Sequence, residues 1–370
     1  VTAPAADTLT AALARRIAVE GPITVAAYMA EALGHPRLGY YMKQDPLGAG
    51  GDFTTAPEIS QAFGELIGLW CADTWQRLGA PPLVRLVELG PGRGTLMADA
   101  VRAASVLPVF RQAIRIHLVE TSPALRARQR ATLADLDVTW HDSLDEVPDG
   151  PALMVANEFF DALPVRQIQR TPHGWFERLV DREETPDGAE PRLRFVLEAF
   201  GSAGASLVPP ALRDAPPGSV VEVSPASLAI ARTLGARLAA QGGAALVIDY
   251  GYAGPAVGDT LQAVRRHAYA PVLESPGDAD LTAHVDFTAL AAAAREGGAD
   301  VFGPVPQGIL LTRLGIVQRT DVLRRGATRT QATALDTALE RLIGANQMGT
   351  LFKALCLAAP GLGAPAGFEG

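Results

Sequence analysis

The period of the apolar positions changes several times along the chain. In residues 8–33, Leu9, Ala12, Leu13 and Ile17 recur at helical spacing, and Gly21-Pro22 breaks the run. Residues 34–57 are crowded with Gly, Pro and aromatic side chains, which predicts loop. A helical period returns over 58–78 through Phe63, Leu66, Ile67, Trp70 and Trp75, until Ala80-Pro81-Pro82 ends it.

Beyond that point the rhythm is different. Residues 83–89 are almost continuously apolar, then come Gly90-Pro91-Gly92-Arg93-Gly94 and a helical pattern from Thr95 to about Ser105. Residues 114–119 alternate and end at Glu120. Ser122-Pro123 suits a helix start, with Ser as N-cap and Pro at the first position, and that helix should run to Leu133. Residues 138–140 and 152–156 read as short strands. Strands alternating with helices in this way predict an open parallel α/β sheet.

The alternation then stops. Residues 175–180 and 192–198 read as strands about an Asp187-Gly188 turn, with Leu193, Phe195 and Leu197 on one face. Residues 166–218 are therefore expected to form an inserted β-rich lobe that leaves through Pro216-Pro217. A strand over 220–223, a helix over 227–241 and a strand over 244–249 should resume the α/β pattern. Helices are expected over 287–296 and 332–343, and a frayed tail rich in Gly, Pro and Ala after Pro360. The expected division is an N-terminal helical and loop region 1–82, two halves of a sheet domain at 83–165 and 219–358, the lobe between them, and a tail 359–370.

Composition narrows the chemistry. With 370 residues, 48% hydrophobic and 19% charged, the chain can build a large core. A net charge of −8 gives no reason to expect nucleic acid as a partner. No apolar run reaches the ~18 residues of a membrane span. Arg15, Arg16 and Glu20 interrupt the first segment, so no secretory signal is expected there. Cys71 and Cys356 form no CxxC pair and the histidines no HExxH, so no metal is expected. GxSxG and GxxxxGK are also absent from the sequence, so much hydrolytic and phosphoryl chemistry loses its usual signal.

The strongest local signal is Val87-Glu88-Leu89-Gly90-Pro91-Gly92-Arg93-Gly94-Thr95. Glycines between strand and helix allow positive φ and a close approach of backbone to ligand, and the helix beyond offers free N–H groups. A dinucleotide turn prefers GxGxxG; here the spacing is GxGxG, with Glu88 two residues before the first glycine. A carboxylate there repels a pyrophosphate and suits a ligand with a cationic amino-acid end, as S-adenosylmethionine has. Glu120, at the end of the second strand, can accept from both hydroxyls of a ribose, which supports an adenosine ligand without choosing among cofactors. Asp142, after the third strand, could meet an adenine amino group or equally cap the next turn.

Asn157-Glu158-Phe159-Phe160-Asp161-Ala162-Leu163-Pro164 follows the fourth strand, where ligands of open α/β sheets sit. It supplies two carboxylates, an amide and two aromatics that could wall a dry pocket or simply pack on the sheet. Residues 51–60, GDFTTAPEIS, form a second dense polar segment, and Asp249-Tyr250-Gly251-Tyr252 could line the same rim. His267 and His284 lack ligand spacing and read as surface or core residues.

The segments GDFTTAPEIS, VELGPGRGTL, NEFFDALP, VIDYG, GDTLQAVRRHAY, DLTAHVDF and MGTLFKAL occur in that order. Together they resemble the class I S-adenosylmethionine-dependent methyltransferase family that includes the mitochondrial complex I assembly arginine methyltransferase. The resemblance covers about residues 17–355. It implies a Rossmann-like sheet of seven strands, the last antiparallel, with S-adenosylmethionine as cofactor. It places cofactor contacts at Glu88, Gly90, Gly92 and Gly94 and a ribose contact at Glu120. An arginine on a protein, such as a complex I core subunit, becomes the expected acceptor, with Glu158, Asp161 and Asn157 as catalytic candidates. Three other readings stay open: a non-catalytic cofactor-binding assembly factor, a small-molecule methyltransferase, and a nicotinamide oxidoreductase, against which GxGxG and Glu88 speak. A homodimer also stays open. The composition suits a bacterial cytoplasmic member, with the mitochondrial matrix as the alternative.

Overall fold

The structure is a computed structural model, and it describes residues 8–43, 55–184, 186, 190–199 and 206–369. Its main sheet contains β1 Val84–Leu89, β2 Ile114–Val119, β3 Val138–His141, β4 Ala152–Asn157, β5 Gly243–Tyr252, β6 Asp300–Pro306 and β7 Phe352–Ala358. Their spatial order is β6-β7-β5-β4-β1-β2-β3. From β3 to β5 every pairing is parallel, whereas β7 runs antiparallel to both β5 and β6. The short strand Val285–Asp286 also pairs with β5.

The central strands are mostly apolar because helices cover both faces. Successive residues point to opposite sides: Leu86, Leu153 and Leu246 join one core, Val87, Met154 and Val247 the other. Helices Gln61–Arg77 and Thr95–Ala104 cover the first face, with Phe63, Trp70 and Leu96. Gly68 lets these two helices meet: a Cβ there would fall 2.4 Å from the Ala100 carbonyl oxygen. Helices Pro225–Gln241 and Phe287–Glu296 cover the second face, with Leu234, Phe287 and Leu290.

The inserted lobe is a sheet of Ile23–Thr24, Arg166–Thr171, Gly174–Arg182, Leu193–Ala199 and Val220–Val223. Val220–Val223 therefore does not resume the main sheet, as its position after the Pro-rich stretch suggested; it pairs antiparallel with Arg166–Thr171. The Asp187-Gly188 turn lies outside the described residues. Leu193 is buried, while Phe195 and Leu197 on the same face are 38% and 44% exposed.

Helices Leu9–Glu20 and Val25–Gly34 pack on this lobe and on a small sheet of Gln262–Arg265, Ala268–Ala270 and Asp280–Thr282. The Tyr28 hydroxyl donates to the Val272 carbonyl at 2.6 Å, and that of Tyr41 to Asp280 Oδ1 at 2.9 Å. Helices Gln307–Arg313, Ile316–Arg325 and Arg329–Ile343 link β6 to β7. The tail expected to fray is instead held down. Phe368 is buried in the main core, and Arg313 Nη1 donates to the Gly367 carbonyl at 3.0 Å. No helix among the described residues is long and apolar enough to cross a membrane.

Candidate active site

The carboxyl ends of β1, β2 and β4 open into a cleft of about 340 Å³, roofed by Met29, Leu33 and Tyr41 from the N-terminal helices. The glycine turn forms its floor. Gly90, Gly92 and Gly94 have φ of 62°, 51° and 82°. A Cβ on Gly90 would lie 2.8 Å from Phe159 Cδ2, so the backbone passes the aromatic wall with no room to spare. Gly90 and Gly92 line the cleft; Gly94 does not, and serves as N-cap of the following helix with its own close neighbour at Leu133.

Glu88 lines the cleft and is 3% exposed, yet its Oε2 has no hydrogen-bond partner. Burial pushes its carboxyl up to about 8. Glu120 is better supported: Oε1 accepts from Ser122 N at 2.8 Å and Oε2 from Gln129 Nε2 at 3.2 Å. Burial raises its pKa against those bonds. Gln129 also donates to the Gly92 carbonyl at 2.8 Å and accepts from Trp140 Nε1 at 2.8 Å, so one buried amide ties the glycine turn to the end of β2. No local pattern marked Gln129, since its partners come from three other segments, the glycine turn, the end of β2 and β3. Asp142 lies outside the cleft lining. Its side chain faces solvent and accepts from Arg126 Nη2 at 2.7 Å.

At the end of β4 the chain reverses sharply. Glu158 has φ of 51°, a left-handed conformation that is rare away from glycine. Asp249, fully buried on β5, accounts for the turn that follows. Its Oδ2 accepts from the N–H groups of Phe159, Phe160 and Asp161 at 3.0–3.2 Å, and its Oδ1 from Tyr250 N at 2.9 Å. Asp249 thus supports the loop from behind, and Asp249 to Tyr252 do not line the cleft rim as expected.

This turn separates the two loop carboxylates. Glu158 lines the cleft, and its Oε1 accepts from Ala56 N at 2.9 Å and Asn157 Nδ2 at 3.1 Å. Burial, with Asp161 nearby, pushes it up to about 7. Asp161 sits off the cleft, beside Tyr250, and burial pushes it up to about 6. Burial, then Asp161 and Glu158, likewise drive Asp249 well above the carboxylate range, against its N–H donors. Asn157 lines the cleft with its Oδ1 unpartnered. Of the two aromatics, Phe159 walls the cleft and Phe160 packs edge-on behind it, ring centroids 5.3 Å apart.

Of the polar segment at 51–60, residues 51–54 lie outside the described residues; Thr55, Pro57 and Glu58 line the cleft. Glu58 Oε1 accepts from Thr95 Oγ1 at 2.5 Å, joining this segment to the glycine turn. His284 packs edge-on against Tyr250, and His267 lies exposed in a turn.

Residues 66–305 match the family described as "Putative S-adenosyl-L-methionine-dependent methyltransferase". The chain belongs to this family. The methyltransferase is 40% identical over 364 residues to the mitochondrial protein arginine methyltransferase NDUFAF7 of Danio rerio, covering 92% of this chain and 84% of that one. To the Homo sapiens protein of the same name it is 41% identical over 333 residues, 83% and 73% of the two chains. A superfamily member from Burkholderia thailandensis, solved with S-adenosyl-homocysteine bound, superposes with a TM-score of 0.81 at 30% identity, covering 100% of this chain and 96% of its own. The site suits the family's cofactor: an unpartnered buried carboxyl oxygen at Glu88 can meet a cationic amino group, and Glu120 lines the same cleft as Gly90 and Gly92.

Proposed function

We propose that this methyltransferase acts on an arginine side chain of a protein, with a complex I core subunit as a candidate acceptor. Bacterial cytoplasm, or the mitochondrial matrix as the alternative, is the proposed setting. The relatives named protein arginine methyltransferase support the acceptor class. The observation that carries the reading is Glu158, a half-buried residue whose carboxyl is fixed at the cleft in a left-handed conformation and pushed up to about 7.

S-adenosylmethionine, when bound, supplies an electrophilic methyl group. Glu88, Gly90, Gly92 and Glu120 would hold it. The remaining work falls to the chain. A guanidinium has a pKa above ~12, so removing its proton at pH 7 before reaction would cost at least about 7 kcal/mol. Glu158 in its ionised form can instead grip the guanidinium by charge-assisted bonds. It then receives the proton at a carboxylate oxygen as the acceptor nitrogen commits its lone pair to the new bond. A carboxyl near pH 7 is suited to both halves of that task. Asn157 donates to Glu158 and orients it. Asp161, a catalytic candidate from the sequence, acts from behind the wall by raising the basicity of Glu158.

The test is Glu158→Gln with labelled cofactor and a protein acceptor, the labelled residue identified by mass spectrometry. Cofactor affinity should persist while turnover falls by roughly 10²-fold or more, the scale of general-base loss. Normal turnover, or label on lysine or on a small molecule, would overturn the arginine reading.

A further inference from the structure

The lobe sheet ends in an open strand. Leu193–Ala199 pairs antiparallel with Gly174–Arg182, from Leu193 opposite Arg182 to Ala199 opposite Phe176. Among the described residues no strand pairs with its other edge. Glu183 N donates to the Arg192 carbonyl at 2.8 Å. Because antiparallel bonds alternate along a strand, residues 194, 196 and 198 also turn their backbone groups inward, and residues 193, 195, 197 and 199 turn theirs outward.

Natural edge strands are commonly guarded by proline, a bulge or lysine. The sequence LRFVLEA carries no proline or lysine, and its pairing runs without a register shift. Its charges are arranged symmetrically about Val196, with Arg194 two residues before it and Glu198 two after. Phe195 and Leu197, both more than a third exposed, flank it. Two such strands laid antiparallel about a twofold axis at Val196 bring Arg194 opposite Glu198 of the second copy, and Phe195 opposite Leu197, each twice. This register also sets outward-facing residues against outward-facing ones, 195 with 197 and 193 with 199, as a ladder requires. A one-residue slip would oppose outward to inward groups. A two-residue slip puts Arg194 opposite Val196 or opposite residue 200, and either way undoes its match with Glu198.

We propose that two copies of this chain associate through Leu193–Ala199, forming one continuous sheet across both lobes. The occupant is a second copy because the strand complements itself in charge, side-chain size and backbone direction, which is the condition for an isologous twofold contact.

Sedimentation velocity on the full chain across a concentration series tests this. The wild type should dimerise. Arg194→Glu alone and Glu198→Arg alone should each sediment as monomers, since each sets like charges opposite one another. An equimolar mixture of the two variants should dimerise again. Arg194 also lies 3.4 Å from Asp181 on its own neighbouring strand, so circular dichroism must confirm that each variant is folded. Independently, Val196→Cys should give a reducible covalent dimer, because a non-hydrogen-bonded antiparallel pair sets its Cα atoms about 4.5 Å apart, within disulfide reach. The native cysteines are buried and should give none. A monomeric wild type, a dimer that survives both single variants, a mixture of folded variants that stays monomeric, or failure of the cysteine variant to cross-link would each overturn the proposal. If a charge variant fails to fold, the cross-link decides.

Discussion

Replacing Glu88 with Gln keeps the shape of the side chain and removes its ionisation. Glu88 is 3% exposed with Oε2 unpartnered, and burial carries its carboxyl from 4.5 to about 8. A carboxyl whose pKa is higher folded than unfolded binds more protons when folded. The cofactor-free protein therefore loses stability as pH rises from the unfolded value toward 8, and loses no more above it. Between pH 5 and pH 8 this is three units at 1.36 kcal/mol each, so about 3–4 kcal/mol as an upper figure. The glutamine variant lacks this penalty, so its stability relative to wild type should improve by about that amount over the same interval. Urea unfolding of both cofactor-free proteins at the two pH values measures it. The other buried carboxyls titrate in both proteins and cancel in the difference. The variant should also bind S-adenosylmethionine at least about tenfold more weakly, because a charge-assisted bond contributes about 1.5–3 kcal/mol. A stability difference that is the same at both pH values would show that Glu88 is not a strained, unpartnered acid. Undiminished binding would show that it does not meet the cofactor.

Glu120→Gln should weaken cofactor binding by roughly tenfold to a hundredfold while the protein stays folded, since one amide N–H₂ must then confront either Ser122 N–H or the Gln129 amide; calorimetry together with circular dichroism checks both halves. Asp249→Asn should destabilise the protein by about 2–3 kcal/mol, because its amide can no longer accept on both sides. It should also lower kcat with little change in cofactor Kd, which denaturant unfolding and steady-state kinetics would separate from a purely structural loss.

Local patterns made much of this architecture legible. The apolar run before Gly90, the Ser122-Pro123 helix start and the polar loop after β4 all express rules that act within a few residues. Glu88, Gly90, Gly92, Glu120, Asn157 and Glu158 could be located as cleft residues on that basis. Where the reading failed, a distant partner decided. Residues 220–223 have the composition of a strand for either sheet, and only the tertiary arrangement pairs them with Arg166–Thr171. Asp161 looked equivalent to Glu158, until the N–H acceptor at Asp249, 88 residues on, turned it away from the cleft. Asp142 points outward because Arg126 holds it there. Phe368 and Leu362 are two large apolar residues in a tail otherwise rich in Gly, Pro and Ala, with no period to predict anchoring.

The cleft is roofed by helices made first and held down by residues made late. The hydroxyls of Tyr28 and Tyr41 reach partners 244 and 239 residues further along the chain. Thermodynamically, such a span costs little more than a shorter one, because loop-closure entropy grows only with the logarithm of length. Kinetically the cost is greater, since contacts between distant segments form slowly. On a ribosome the N-terminal helices emerge long before residues 272–280 exist, and until then only earlier residues such as Val165, Val180 and Leu193 can begin to cover their apolar faces. The cleft is complete only after about three quarters of the chain has been synthesised. Newly made protein that can take up cofactor is therefore protein that has already brought its N-terminal helices onto residues 272–280.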